Sequence, residues 1–394
     1  MRYDVIVIGG RCAGSPLAML LARAGLSVLL VDKAEFPSDS INGHMIKPSG
    51  VARLMSWGLL EEVIATGAPP ITSRRLVIGA SVTEHRVPEN APAPIAPRRF
   101  ALDQVLLEAS RRAGAEVRTR TTLRGLLFAG ERVVGARLLD VTGREQDVFA
   151  RIVVGADGRN SLVARRAGAR LHRDDGTTSI CYWSYWRGIT PQCAALYLTK
   201  GLAAGLVPTN DGLAVAWVQA PADAAQDYRS DPARQYLRAV RQTPIIGGLL
   251  SRAGASREGR MLGMLSLPNF IRQAHGPGWA LVGDAAHHKD PLAARGISDA
   301  FRDAELLAQA VEGGLGGTDA DLTTELARYQ RARDDANGDV YEANLEFSRL
   351  DRSVPELPAL FGSVAEAEAV ADSSYPPLAR FGNAESASAA PTAA

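Results

Sequence analysis

The stretch YDVIVIGGRCAGSPLAMLLARAGLSVLLVD, residues 3–32, reads as strand, turn, helix and strand. Tyr3 to Ile8 is apolar and β-branched, and Leu17, Leu20, Leu21 and Ala24 recur at helical spacing until Gly25 stops the helix. Ser27 to Asp32 is a continuously apolar run of the kind buried in parallel sheets. Between strand and helix lies Gly9-Gly10-Arg11-Cys12-Ala13-Gly14. The residues Gly9, Gly10, Arg11, Ala13 and Gly14 can turn backbone N–H groups at the helix start toward a pyrophosphate. Asp32 falls 18 residues after Gly14, where a carboxylate accepts hydrogen bonds from an adenosine ribose, and Lys33 follows it. Strict GxGxxG spacing wants glycine where Arg11 stands, so the Arg11 side chain must point away from the closely approached backbone.

Working outward, 394 residues exceed what one hydrophobic core usually organises, and two interleaved domains are expected. The chain carries 44 basic and 43 acidic side chains, a net charge of +1, which argues against nucleic acid as a partner. Lysine occurs only at Lys33, Lys47, Lys200 and Lys289. Three scattered cysteines, Cys12, Cys181 and Cys193, give no disulfide framework and fit a reducing cytoplasm. No stretch reaches about 18 unbroken apolar residues, so no transmembrane segment is expected. The histidines and cysteines lack zinc-like spacing, and no metal is expected.

Farther along, the proline-rich 88–97 connection precedes a helix marked by Leu102, Val105, Leu106 and Ala109. Alternating strands broken at Ala129-Gly130 and Thr142-Gly143 follow, and a buried strand from Arg151 to Val154 leads into Gly155-Ala156-Asp157-Gly158-Arg159-Asn160-Ser161. Residues 178–220 read as an antiparallel sheet with a turn at Asn210-Asp211-Gly212. Asp231-Pro232 caps a helix running to Thr243. Trp279 to Val282 returns to the parallel sheet, before Gly283-Asp284-Ala285-Ala286-His287 and helices near 297–311 and 319–350. The last dozen residues are small and polar, a composition of disorder.

These three motifs, spread from residue 9 to residue 304, together resemble the FAD-dependent monooxygenase family of the single-component aromatic hydroxylases, with the para-hydroxybenzoate hydroxylase-like fold. The resemblance implies an α/β architecture: a Rossmann-like FAD-binding parallel sheet, an inserted mainly antiparallel substrate domain, and C-terminal helices. The FAD-binding domain is expected over 1–70, 96–177 and 271–345, the substrate domain over 71–95 and 178–270, and a C-terminal extension over 346–394. The resemblance makes Asp157 the aspartate of the DG motif, which helps hold FAD near the route of the nicotinamide. Gly283 and Asp284 match the GD motif, whose aspartate binds the flavin ribitol. After Pro291 the chain turns at Gly296 into a helix, so that the N–H groups of Ile297 and Ser298 face the ring end of the flavin. Arg99 resembles the family's arginine beside the cofactor, and a guanidinium there pairs with phosphate. His44 stands where the family often has arginine, and offers contact with FAD or an acid or base near neutral pH.

No second glycine fingerprint lies between a strand and a helix, so a dedicated NAD(P)H domain is absent from the reading. The resemblance then implies NAD(P)H as a transient co-substrate and O2 as oxidant, with one oxygen atom passed through a C4a-hydroperoxyflavin to a small organic, aromatic or polycyclic substrate. The alternatives are a reductase of the geranylgeranyl-reductase-like branch, a flavin-dependent halogenase and a non-catalytic flavin-binding protein. Halogenation is disfavoured because no lysine occurs between Lys47 and Lys200 and Tyr182–Arg187 does not match WxWxIP. At period two, Tyr182 and Trp186 share one face of their strand and Trp183 and Tyr185 the other. Tyr182, Trp186 and Pro291 are the candidate substrate-pocket residues.

Overall fold

A computed structural model describes residues 2–39, 43–189, 191 and 193–381. The tail expected to be disordered therefore lies outside the described residues, apart from its approach up to Phe381.

The opening strand Arg2–Ile8 lies between Val28–Val31 and Glu145–Gly155, parallel to both. Glu116–Arg118 extends this sheet beyond Val28–Val31, and Trp279–Leu281 joins it beyond Glu145–Gly155, each again in parallel. The ribbon Thr122–Ala129 and Arg132–Leu139 is antiparallel and pairs onto Glu145–Gly155. The central strands are buried on both faces, as their unbroken apolar sequences require. Helices Gly14–Arg23, Arg99–Arg112 and Gly296–Leu315 cover the sheet. All three begin at the end of the sheet that holds the glycine-rich loop, which puts three positive helix ends near one crevice.

A second sheet has seven strands in the order Ser256–Met264, Ser179–Arg187, Ala214–Pro221, Leu202–Pro208, Ala194–Thr199, Ser73–Ile78 and Ser81–Arg86. It is antiparallel except where Ala194–Thr199 runs parallel to Ser73–Ile78. Helices Ala225–Ser230, Pro232–Arg241 and Pro244–Leu250 cover one of its faces. The expected Asp231 cap is present, accepting from Arg234 N at 3.1 Å. The two sheets are joined by a small third one, Leu171–Thr177, Pro268–Arg272 and His287–His288, which spans both chain crossings between them.

Asp319–Ser348 starts with a reciprocal cap between Thr318 and Asp321. The final helix, Leu357–Ser374, has no counterpart in the periodicity reading and packs back along it. No helix among the described residues is long and apolar enough to cross a membrane.

Candidate functional site

At the fingerprint, backbone approaches backbone so closely that only glycine fits. A Cβ on Gly9, which has φ +109°, would lie 2.4 Å from the Ala156 carbonyl oxygen, and one on Gly14 would lie 1.8 Å from the Gly9 oxygen. The N–H groups of Arg11, Cys12 and Ala13 donate to no acceptor among the described residues. Asp32, at the end of the second strand, accepts from Gly10 N and Ala34 N, each at 2.7 Å. Those two bonds fix its carboxylate beside the loop and leave it acceptor capacity. Lys33 is exposed.

Arg11 does turn away from the loop backbone. Its guanidinium donates to Asp103 at 2.5 Å and to Ser38 Oγ at 3.0 Å, and lies over the Phe36 ring. Arg99, at 4% exposure, shares Asp103 with it through donors at 2.8 and 3.1 Å. Sequence reasoning singled out both arginines but not Asp103, the fully buried carboxylate that holds them together. The spacing of Arg99 and Asp103, one helical turn, was the available signal. Burial pushes the neighbouring Cys12 thiol well above its ordinary range, so it stays protonated.

Asp157 serves its own helix. It accepts from Ser161 Oγ at 2.5 Å and from the N–H groups of Leu162 at 2.7 Å and Val163 at 3.2 Å, capping Leu162–Arg166. Burial raises its pKa, against the pull of those donors.

Asp284 behaves differently. It is half-buried, and it makes no hydrogen bond with any described residue. It lines a cavity of about 20 Å³, room for one water, together with Gly283, His287, Lys289, Arg295 and Gly296. The helix that begins at Gly296 opens onto the same space. Ser298 faces the other way, and its hydroxyl accepts from Lys47 N at 3.0 Å. Ile297 is buried against the sheet core.

Beneath this helix start lies a buried ionic cluster. Asp299 accepts from Lys289 Nζ at 2.6 Å, Arg295 at 2.9 Å and Arg302 at 3.0 Å. Its burial works against ionisation, but the three cations prevail and hold its carboxyl well below the usual range. Two further bridges tie the site to the last helix: Lys47 Nζ lies 2.5 Å from Glu368, and Arg295 reaches Asp372 at 2.8 Å. Sequence reasoning missed this clasp. The Lys47 and Glu368 partners are 321 residues apart, and no local pattern marks either.

Asp290, before Pro291, anchors the second sheet. It accepts from Ser179 Oγ at 2.5 Å, from Gln219 Nε2 and from Leu292 N at 3.0 Å. Pro291 opens the short turn Pro291–Ala293, and Leu292 and Ala293 pack in a cluster against which Trp217 also lies.

The aromatic strand divides as period two demands, but with the faces assigned by the fold. Tyr182 stacks on Tyr228 at 5.2 Å, and Trp186 Nε1 donates to Tyr236 OH at 2.9 Å. Both therefore pack under the helices, and the structure does not bring them to the cofactor side. Trp183 and Tyr185 face the nucleotide-binding domain, in a cluster with Met45 and Ile71 against it. Trp183 is paired directly with Trp217 across the strands, and its Nε1–H is buried with no partner among the described residues. His44 is buried, with Nε2 2.7 Å from Tyr185 OH.

A model of the FAD binding domain matches residues 2–343. The chain is 27% identical over 336 residues to a digeranylgeranylglycerophospholipid reductase of Methanosarcina acetivorans, covering 81% of this chain and 77% of that one. It is also 27% identical over 326 residues to the 3-demethoxyubiquinol 3-hydroxylase of Escherichia coli, covering 77% and 78%. Among solved structures, the flavin-dependent brominase Bmp2 superposes with a TM-score of 0.78 at 20% identity, over 95% of this chain and 98% of that one.

Proposed function

This chain belongs to the FAD binding domain family, and from that premise we propose that it is an NAD(P)H-using monooxygenase that puts one oxygen atom of O2 into a small aromatic or polycyclic substrate. The residues present suit the cofactor. The unpaired N–H groups of Arg11, Cys12 and Ala13 would hold its pyrophosphate, with Arg99 behind them, and Asp32 would take the adenosine ribose. The unengaged carboxylate of Asp284 would accept from the ribityl hydroxyls, and the helix start at Gly296 would meet the ring. Bound FAD supplies acceptance of electrons from NAD(P)H and activation of O2.

The protein's part is orientation and dryness. The observation that carries the reading is the Trp183–Trp217 pair, an apolar cross-strand floor on the face turned toward the loops of His44 and Pro291. Such a floor suits a flat, greasy ligand. The overall conversion balances: NAD(P)H, a proton, O2 and substrate give NAD(P)+, water and the oxygenated product.

A second reading rests on the equal identity to a reductase, which would spend the same electrons on a carbon–carbon double bond. Halogenation finds less support. The two partly buried lysines are both ion-paired, Lys47 to Glu368 and Lys289 to Asp299. The test is a single turnover: FAD-loaded enzyme is reduced without air, mixed with a panel of aromatic alcohols and isoprenoid alkenes, and given 18O2. One 18O atom in the product supports the monooxygenase. Product hydrogenated in the absence of air, with no 18O incorporated in its presence, establishes the reductase.

A further inference from the structure

His44 is held by one hydrogen bond whose direction can be deduced. His44 and Tyr185 are 6% and 7% exposed, and their rings meet edge to face at 87° with Nε2 and the hydroxyl 2.7 Å apart. Besides His44, the only hydrogen-bond partner of the Tyr185 hydroxyl among the described residues is the Arg98 guanidinium, which can only donate to it. The Arg98 guanidinium, 4.6 Å from the ring centroid, carries donors and no acceptor, and the nearby Asp39 carboxylate accepts from Arg98 at 2.7 Å and from Phe100 N at 3.3 Å and makes no hydrogen bond to the phenol. If Nε2 were the protonated nitrogen, the phenol proton would be buried without an acceptor among the described residues, which is unfavourable. The hydroxyl therefore donates to Nε2.

Burial, reinforced by nearby Arg99, pushes the imidazole down to about 4, so it carries one proton in neutral solution. Burial also raises Tyr185 to about 12, which keeps it a phenol. With Nε2 accepting, the single imidazole proton resides on Nδ1. That atom has no partner among the described residues and is not sealed from open space.

We infer that Tyr185 is a positioning residue that holds His44 in its Nδ1–H form, so that His44 offers a neutral donor to an oxygen of the bound cofactor or substrate and takes no proton from it. The role assigned to His44 depends on the proposed site for its ligand, but its tautomer does not.

The test is a long-range 1H–15N spectrum of oxidised, FAD-loaded protein with labelled histidine, the His44 ring being identified by its loss in His44→Asn. A protonated Nδ1 with an unprotonated Nε2 is expected, and Tyr185→Phe should release the ring to a mixture of tautomers. A protonated Nε2 in the wild type overturns the inference even if the variant fails to fold, and so does an unchanged ring in a folded Tyr185→Phe. The donor role is read by titrating apoprotein with FAD and holoprotein with 2-naphthol. Asparagine places an N–H where Nδ1 stands, and glutamine where Nε2 stands. His44→Asn should bind within about threefold of wild type and His44→Gln about tenfold more weakly in one of the titrations, identifying whether cofactor or substrate supplies the oxygen. Equal binding by both variants in both titrations, or weaker binding by His44→Asn, overturns the donor role. These measurements use resting protein without NAD(P)H, so a failure of oxygen insertion leaves them standing, and their failure leaves the monooxygenase reading untouched.

Discussion

Around Gly9–Gly14 the tightest contacts are backbone against backbone, whereas on the seven-stranded sheet they are backbone against a side chain. A Cβ on Gly14 would strike the Gly9 carbonyl, which follows directly on a strand locked on both sides. A Cβ on Gly205 would strike the Trp217 indole at 2.3 Å, which ends a rotatable side chain. The first clash has no escape and the second has one. The loop proposed to meet a fixed ligand is built from parts that cannot move, and the face proposed to meet a variable one is built from parts that can.

The largest effect follows from the first clash. Gly→Ala inside a helix normally stabilises by up to about 1 kcal/mol, but Gly14→Ala should reverse that sign and cost about 4 kcal/mol or more. Urea unfolding of purified apoprotein measures it. A variant as stable as wild type would show that the loop yields, and would remove the contrast with the sheet.

That contrast also explains what could be read in advance. Gly9, Gly14 and Asp32 lie in one short motif whose glycines are demanded by local backbone geometry, so spacing marked them, whereas Asp284 was marked by the resemblance of its GD motif to the family's. The sheet face was not legible in the same way. Alternation separates Tyr182 and Trp186 from Trp183 and Tyr185, but which pair meets the helices depends on Ala225–Leu250, a segment folded over the sheet from dozens of residues away. The Arg11–Asp103 and Lys47–Glu368 bridges were hidden for the same reason, since a charged side chain gives no sign in sequence of a distant partner.

The junction of the two regions supplies a pH dependence. The unfolded chain takes up a proton at His44 near the ordinary value of 6.5, while the folded chain resists until about 4. Stability from this group is complete above pH 6.5 and drains as the pH falls toward 4, by about 3 kcal/mol in all. His287, buried and also held well below its ordinary value, acts in the same direction. Denaturation curves of wild type and His44→Asn should therefore converge on acidification, and parallel curves would place His44 in a more open setting than its 6% exposure implies.

Gly205→Ala sharpens the comparison at lower cost. Trp217 must swing off the strand, and the loss should be about 2 kcal/mol, in the range of overpacked cores. Because Trp217 packs on the Leu292–Ala293 turn as well, binding of 2-naphthol to the holoprotein should weaken with it. Loss of stability with unchanged binding would put the floor of the pocket elsewhere.

The smallest effect separates the two faces of one strand. Trp186→Phe removes the donor to Tyr236, whose hydroxyl in turn donates to the Ala216 carbonyl, and should cost about 1 kcal/mol with ligand binding unchanged. Trp183→Phe removes an N–H that has no partner to lose. Deleting a buried unsatisfied donor leaves stability unchanged or slightly higher, so its effect should appear in the affinity for aromatic alcohols instead. Thermal melting and ligand titration of both variants then give opposite patterns from residues three apart in sequence. If Trp183→Phe destabilises and leaves binding alone, its face is packing like the other, and the substrate must be sought nearer the Pro291 turn.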